Sequence, residues 1–381
     1  MTAGMALTYV ALLSMAICLY AMPIAERLKI IDYPDSGRKI HPVPTPLVGG
    51  IAIMVPLVLW CVGRITSTPL SPSRLLVAVA LGSGAVAVTG FIDDQRSVSA
   101  GARLLLLAMI AAAALAIDHA LVGNHIDTVN WGVVAIPTWL FAFLLILALA
   151  GFPSAVNMAD GMNGVVVALF FVWSLCIAFS SVGLIAATAQ VIAVGAAVTF
   201  LFNLRGRLFL GDCGAFGVAF ALGLLTVAAH NAGRLPVETV VVWYFIPVVD
   251  CFRMILIRRL AGRSPLSPDE NHFHQHLSRL FGASIARWTY VGLVSVTSAA
   301  ATFEPRFDAY YLGLLAVAYV VLLRPDFVGW RPRAVSVPGM RLQVPNPEGA
   351  IPALPAGDGR PGLVLPKPTA LPESEAHKTL Q

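Results

Sequence analysis

Several short polar stretches hold residue types that could handle phosphate or a metal ion. Gly90-Phe91-Ile92-Asp93-Asp94 puts two adjacent carboxylates at the foot of an apolar run. Two acids side by side at a membrane surface are costly unless a cation neutralises them, because burial and like charge both disfavour the ionised form. Arg96 or Arg103 could serve structurally. A divalent ion such as Mg²⁺ suits better, since it takes hard oxygen ligands and keeps several waters. In Asn157-Met158-Ala159-Asp160-Gly161-Met162-Asn163-Gly164, residues three apart would fan Asn157, Asp160 and Asn163 along one side of a helix. The same Asp-Gly and Asn-Gly pairs are also ordinary turn dipeptides. Phe209-Leu210-Gly211-Asp212-Cys213-Gly214-Ala215 offers Asp212 between glycines, either as a helix N-cap or as a carboxylate that a metal-bound phosphate can reach.

Two further stretches carry cationic or imidazole groups. Arg38, Lys39 and His41 precede Pro42, Pro44 and Pro46, whose alternation holds the strand extended, and Gly49-Gly50 then allows close backbone approach. These three residues could hold a phosphate or be ordinary charge on a cytoplasmic loop. Near the other end, Ser267 with Glu270 three residues on forms a capping box, and Pro268 suits a first helical position, so a short helix is predicted to start there. On such a helix His272 and His276 share a face while His274 points elsewhere; on a strand all three would align. A zinc triad lacks a fourth ligand, so imidazoles and helix N–H groups contacting phosphate are the preferred reading.

The elements that must position these groups follow from composition. Of 381 residues, 58% are hydrophobic and 12% charged, against about one-quarter charged in a soluble domain, and mean hydropathy is +0.81. Apolar segments recur at 5–23, 47–65, 74–92, 103–122, 133–152, 164–181, 183–202, 213–230, 237–257, 284–302 and 307–323. The fold class is therefore all-α, a polytopic membrane protein of about 10–11 transmembrane helices, with catalytic loops on one face. Basic residues crowd the loops after odd-numbered segments, among them Arg27, Lys29, Arg205, Arg207, Arg258 and Arg259, whereas the even loops hold Arg64, Arg74, Arg234 and Arg306. The odd loops are thereby cytoplasmic. The positive balance reflects those loops and not a nucleic-acid partner. All the motifs fall on odd loops, at segment ends. A transporter would place ionisable groups near the midplane, so an interfacial active site is favoured over a conduction path. Alternation over 122–135 predicts a short external hairpin. The five cysteines lack metal-ligand spacing and read as free thiols in packing positions. Residues 1–324 form the membrane domain; 325–381, with recurring prolines, read as a disordered cytoplasmic tail.

In order, over about residues 30 to 280, these stretches resemble the polyprenyl-phosphate N-acetylhexosamine-1-phosphate transferases, with the phospho-MurNAc-pentapeptide transferase as a cousin. GFIDD is similar to that family's paired-aspartate motif, NMADGMNG to its N-x-x-D-G-x-[DN]-G signature, FLGDCG to F-x-G-D-x-G and SPDENHFHQH to P-D-R-x-H-x-H-H. The resemblance implies transfer of an N-acetylhexosamine 1-phosphate from a UDP-sugar to undecaprenyl phosphate, releasing UMP, as the first step of cell-surface glycan synthesis at the bacterial inner membrane, with a cytoplasmic active site. It implies Mg²⁺, with Mn²⁺ as the alternative, on Asp212 with help from Asn157. Asp93 would act on the lipid phosphate as base or orienter, Asp94 would tune the metal's surroundings, and Asp160 would lie behind the metal or on the nucleotide. Arg38, Lys39, His41 and Asn163 would bind nucleotide or phosphate, and Arg263, His272, His274 and His276 the pyrophosphate or sugar. The sugar, the glycan and a homodimer are left open. Asn163 stands where bacterial members usually carry aspartate, Glu270 replaces an arginine, Gln275 a histidine and Ala215 a serine. Those departures leave a catalytically impaired member as one alternative, and a transporter using Asp250 and Arg253 as another.

Overall fold

The protein is described from a computed structural model over residues 3–34, 43–67, 73–264 and 271–323. Arg38, Lys39 and His41, the predicted capping box at Ser267 to Glu270, and the tail over 325–381 lie outside the described residues.

In hydrocarbon every backbone N–H and C=O must be satisfied within its own segment, so apolar runs of this length become helices. In chain order these are α1 (Ala3–Leu19), α2 (Ala21–Leu28), α3 (Gly49–Thr66), α4 (Arg74–Ala78), α5 (Gly84–Gln95), α6 (Ala100–Ile117), α7 (Thr138–Ala159), α8 (Val165–Ser180), α9 (Gly183–Asn203), α10 (Gly211–Asn231), α11 (Val237–Leu260), α12 (Phe273–Phe281), α13 (Ala283–Phe303) and α14 (Asp308–Leu323). A π-helical turn, Val79–Ser83, joins α4 to α5 in one run, Arg74–Gln95. Each predicted apolar segment overlaps a helix, although the fifth, 133–152, starts ahead of α7 in residues that are not helical. Among the described residues eight are long and apolar enough to cross a bilayer, and α1 with α2, bent by 69°, would make a ninth. The chain is an all-α, multi-pass membrane protein.

α10 is the centre of the bundle. Its apolar window is 89% buried, against 17% for the peripheral run Pro305–Leu323, and it packs against α3, α5, α7, α8 and α9. Small residues make this possible. A Cβ on Gly50 of α3 would sit 2.2 Å from the Gly214 nitrogen, and one on Gly217 would meet the Ala87 Cβ at 2.7 Å. Without side chains at these points, backbones approach to contact, the usual basis of tight helix association in membranes.

Two short antiparallel sheets mark opposite ends of α10. β1 (Ile31–Asp32) pairs with β2 (Thr45–Pro46). The Phe209 N–H then donates to the Pro46 carbonyl at 2.9 Å, while Gly49 and Gly50 N–H donate to Phe209 and Leu210 carbonyls. The proline-rich strand thus fastens the loop that leads into Asp212. The predicted hairpin forms as β3 (His125–Thr128) and β4 (Gly132–Ala135). It is tied to the far end, where the Val129 N–H donates to the Glu238 carboxylate and the Asp127 N–H to His230 Nε2. At 1.5 Å per residue the 21 residues of α10 separate these ends by about 30 Å. The five cysteines are free thiols, four of them buried.

Candidate active site

Gly90 brings the two acidic stretches together. A Cβ there would lie 2.3 Å from the Asp212 carbonyl oxygen, so only glycine lets the last turns of α5 rest on the first turn of α10. That contact delivers Asp94 to the α10 N-terminus, where its Oδ1 accepts the Asp212 N–H at 2.9 Å and its Oδ2 the Cys213 N–H at 3.1 Å. A carboxylate is favoured there because the first N–H groups of a helix have no internal partner and carry partial positive charge. Gly211, at φ +73°, opens the helix in a left-handed conformation that other residues rarely adopt. Asp93 faces the other way. Its Oδ1 accepts the Val98 N–H at 2.7 Å, its Oδ2 binds the Arg103 guanidinium, and its side chain is 6% exposed. Arg103 also sits 5.0 Å from the Phe216 ring centroid, a cation–π contact. The Asp93 and Asp212 side chains come within hydrogen-bonding contact.

Asp160 approaches from α7. The helix predicted to carry Asn157, Asp160 and Asn163 along one side stops at Ala159, and Asp160 is its C-cap. The reason is the turn that follows, which reverses at Gly164 with φ +87°. All three residues still face one cleft. The turn is held by Asn203 at the end of α9, whose Oδ1 accepts the Gly164 N–H at 2.6 Å and whose Nδ2 donates to the Leu208 carbonyl at 3.0 Å. Burial, and then the charge of nearby Asp94, pushes the Asp160 carboxyl up to about 7.

The histidines differ from the sequence reading. Asn271 and His272 are not helical; α12 begins at Phe273, and His272 is its extended N-cap at φ −64°, ψ 156°. Extended geometry before the helix puts His272 and His274 on the same side, with rings parallel and centroids 5.8 Å apart, and both line the cleft. His276 is the residue turned away, and neither it nor Arg263 lines the cleft. A Cβ on Gly161 would fall 1.9 Å from His274 Nε2, so the acidic turn closes directly on this ring.

The cleft encloses ≈ 2250 Å³. Its polar end holds Asp94, Asn157, Asp160, Asn163, Asp212, His272 and His274, with Arg103, Arg205, Arg258, Arg279 and Arg287 around them. Its apolar wall, from α7 and α11, includes Leu147, Val241 and Phe252, all exposed. Among the described residues no group of three or more His, Cys, Asp or Glu is placed as a closed metal cage. Both Asp94 oxygens and both Asp93 oxygens have partners, and Asp160 and Asp212 line the space with Asp94, as does Asp32 of β1.

The sequence model for glycosyl transferase family 4 matches residues 76–230, the stretch that contributes Asp94, Asp160 and Asp212. Over that stretch the chain is similar to glycosyl transferase family 4. It is 28% identical to the decaprenyl-phosphate N-acetylglucosaminephosphotransferase of Mycolicibacterium smegmatis, over 79% of this chain and 83% of that one. It is 26% identical to the undecaprenyl-phosphate alpha-N-acetylglucosaminyl 1-phosphate transferase of Yersinia pestis, over 83% and 90% of the two chains. The phospho-N-acetylmuramoyl-pentapeptide-transferase of Symbiobacterium thermophilum is 28% identical over 66% of this chain and 81% of its own.

The sequence reading does not name Asn203 or the five cleft arginines as site residues, Arg103 entering it only as a structural partner for the paired aspartates. A lone asparagine closing an otherwise apolar helix was the available signal for Asn203; the arginines are indistinguishable in sequence from ordinary loop charge. Electrostatics of two groups outside the spans, His274 and Asp160, give a testable pH dependence. Burial, and then neighbouring His272, pushes the His274 imidazole from 6.5 down to about 4, so between those values the unfolded chain binds the proton that the folded one refuses. Its contribution is present above pH 6.5 and lost as pH falls toward 4. Asp160, raised, acts in the opposite sense, favouring the folded state at low pH and losing that as pH rises through 7. Thermal unfolding of His274→Gln in detergent should therefore fall less steeply between pH 6.5 and 4 than wild type; parallel curves would contradict the assignment.

Proposed function

We propose that this chain transfers N-acetylglucosamine 1-phosphate, or a related N-acetylhexosamine 1-phosphate, from a UDP-sugar to a polyprenyl phosphate such as undecaprenyl phosphate, with release of UMP. The observation that carries this reading is one cleft that joins carboxylates and arginines at helix ends to an exposed apolar wall contributed by two candidate membrane-spanning helices. A soluble, phosphate-rich donor and a long apolar acceptor can meet only in such a place. The named activities of the relatives support the same reaction. By the positive-inside bias this end faces the cytoplasm, and the reaction would initiate a cell-surface glycan at the inner membrane.

The reaction is a displacement at the β-phosphorus, in which a lipid phosphate oxygen forms the new P–O bond and the bond to UMP breaks. Both partners are anionic, so positioning and charge neutralisation dominate. Arg205, Arg279 and Arg287 ring the cleft and would bind phosphate oxygens. Asp93 would act as an orienter through Arg103, which it already holds. A phosphate monoester with second pKa near ~6 is largely dianionic at neutral pH, so no strong base is required. Asp94 would fix the first turn of α10, and thereby Asp212, while Asn163 would meet the nucleotide. Mg²⁺, with Mn²⁺ as the alternative, would be held by Asp212 and Asn157, with Asp160 beside them, and would supply charge neutralisation of the pyrophosphate. That donor set fits an ion that keeps waters and takes substrate phosphates, since Mg²⁺ is usually bound through one or two carboxylates and not in an all-protein cage.

A transporter finds no support in Asp250 and Arg253, which bind each other at 2.7 Å and do not line the cleft. The deciding experiment incubates purified protein with undecaprenyl phosphate and a panel of UDP-N-acetylhexosamines, weighs the lipid product by mass spectrometry and quantifies UMP. Lipid-linked sugar phosphate with equimolar UMP is expected from at least one donor. Neither product from any donor, or vectorial uptake without UMP, would overturn the reading.

A further inference from the structure

Asp250 is buried midway along α11, outside the cleft lining, and takes no part in the chemistry above. It is nonetheless the most heavily bonded carboxylate among the described residues. Its Oδ2 meets His272 Nδ1 at 3.0 Å and accepts the Phe273 N–H at 3.1 Å. Its Oδ1 accepts from Arg253 Nη2 at 2.7 Å, Arg253 Nε at 3.1 Å and the Tyr319 hydroxyl at 2.8 Å. Arg253 Nη2 also donates to the Asn271 carbonyl at 2.6 Å, so the segment entering α12 is anchored on both sides of the His272 backbone.

An ionised carboxylate can only accept, so the ring nitrogen facing Asp250 must be the one that donates. We propose that Asp250 is a positioning residue acting through His272, holding its imidazole with the proton on Nδ1 so that Nε2 is the ring atom offered to the cleft. The same division of labour places a buried aspartate behind a working histidine in hydrolase triads. Gln275 completes the mount. Its Oε1 accepts the His272 N–H at 3.0 Å, and the residue lines the cleft, so this departure from the histidine run supplies a fixed point for His272. Tyr319 extends the mount to α14, making the peripheral helix part of what holds the site.

The consequence for turnover rests on the transferase reading; the tautomer itself does not. Two measurements therefore run on the purified full chain. In ¹⁵N-histidine spectra without substrate, the His272 signal, identified by its loss in His272→Gln, should report an Nδ1–H imidazole in wild type and lose that form in Asp250→Asn. In steady-state assays Asp250→Asn should lower kcat by roughly 10- to 100-fold with little change in KM, Asp250→Glu should recover part of it, and the Asp250→Asn/His272→Gln double variant should be no slower than His272→Gln alone. A merely structural aspartate would give losses that multiply. Multiplying losses, or a wild-type His272 protonated only on Nε2, overturns the proposal. Should wild type prove inert with every donor, the transferase reading falls, while the spectra still decide how the ring is held.

Discussion

Asp212→Asn will lower UMP release by roughly 10³-fold, the scale seen when one charge-stabilising group is removed from a transition state, and will leave the fold intact. The variant has the same shape, and the Asp212 N–H that donates to Asp94 belongs to the backbone and survives. What disappears is the ionisable carboxyl group at the centre of the cleft, beside Asp93 and Asp94. Because Asp94 has both oxygens on backbone N–H groups and Asp93 is bound to Arg103, neither neighbour is placed to substitute. Melting curves with and without Mg²⁺ give a second readout that needs no turnover. Wild type should be stabilised by the ion, and Asp212→Asn should lose most of that shift. Turnover at the wild-type rate would refute the assignment of Asp212.

Gly90→Ala should cost about 100-fold in kcat, the penalty expected for displacing reacting groups by about 1 Å. The added methyl would stand 2.3 Å from the Asp212 carbonyl oxygen and 2.6 Å from the Cys213 nitrogen, both backbone atoms of the most buried helix. α5 must move away, and Asp94 leaves the N–H groups it caps. Overpacking of this kind destabilises by about 1–3 kcal/mol, so the variant should still insert and purify. Gly101→Ala is the matched control. Its Cβ meets nothing within 4 Å on helix α6, and replacing an unconstrained helical glycine stabilises by about 0.4–1 kcal/mol. Equal activity in the two variants would show that the α5–α10 contact does not set the site.

Much of this was legible locally. Long apolar runs dictate helices because lipid offers the backbone no partner, and alternation over 122–135 dictated the hairpin. Acidic and histidine stretches at segment ends could be placed on one face by counting segments, and they do converge on one cleft. The helix through Asn163 and the pairing of His272 with His276 failed for a shared reason. Each assumed that helical spacing continued past a boundary, whereas Gly164 and the extended His272 end it.

Sequence by itself determined a multi-pass helical protein, the order of its motifs and the residue types available to the cleft, because hydropathy and short-range spacing are properties of neighbouring residues. Only the tertiary structure decided which carboxylate oxygens are already taken, that Asn203 ties the acidic turn to the loop before Asp212, and that Asp250 stands behind His272. Most of those contacts join residues tens of positions apart, set by how closely glycine faces let helices approach, and no local pattern encodes that distance.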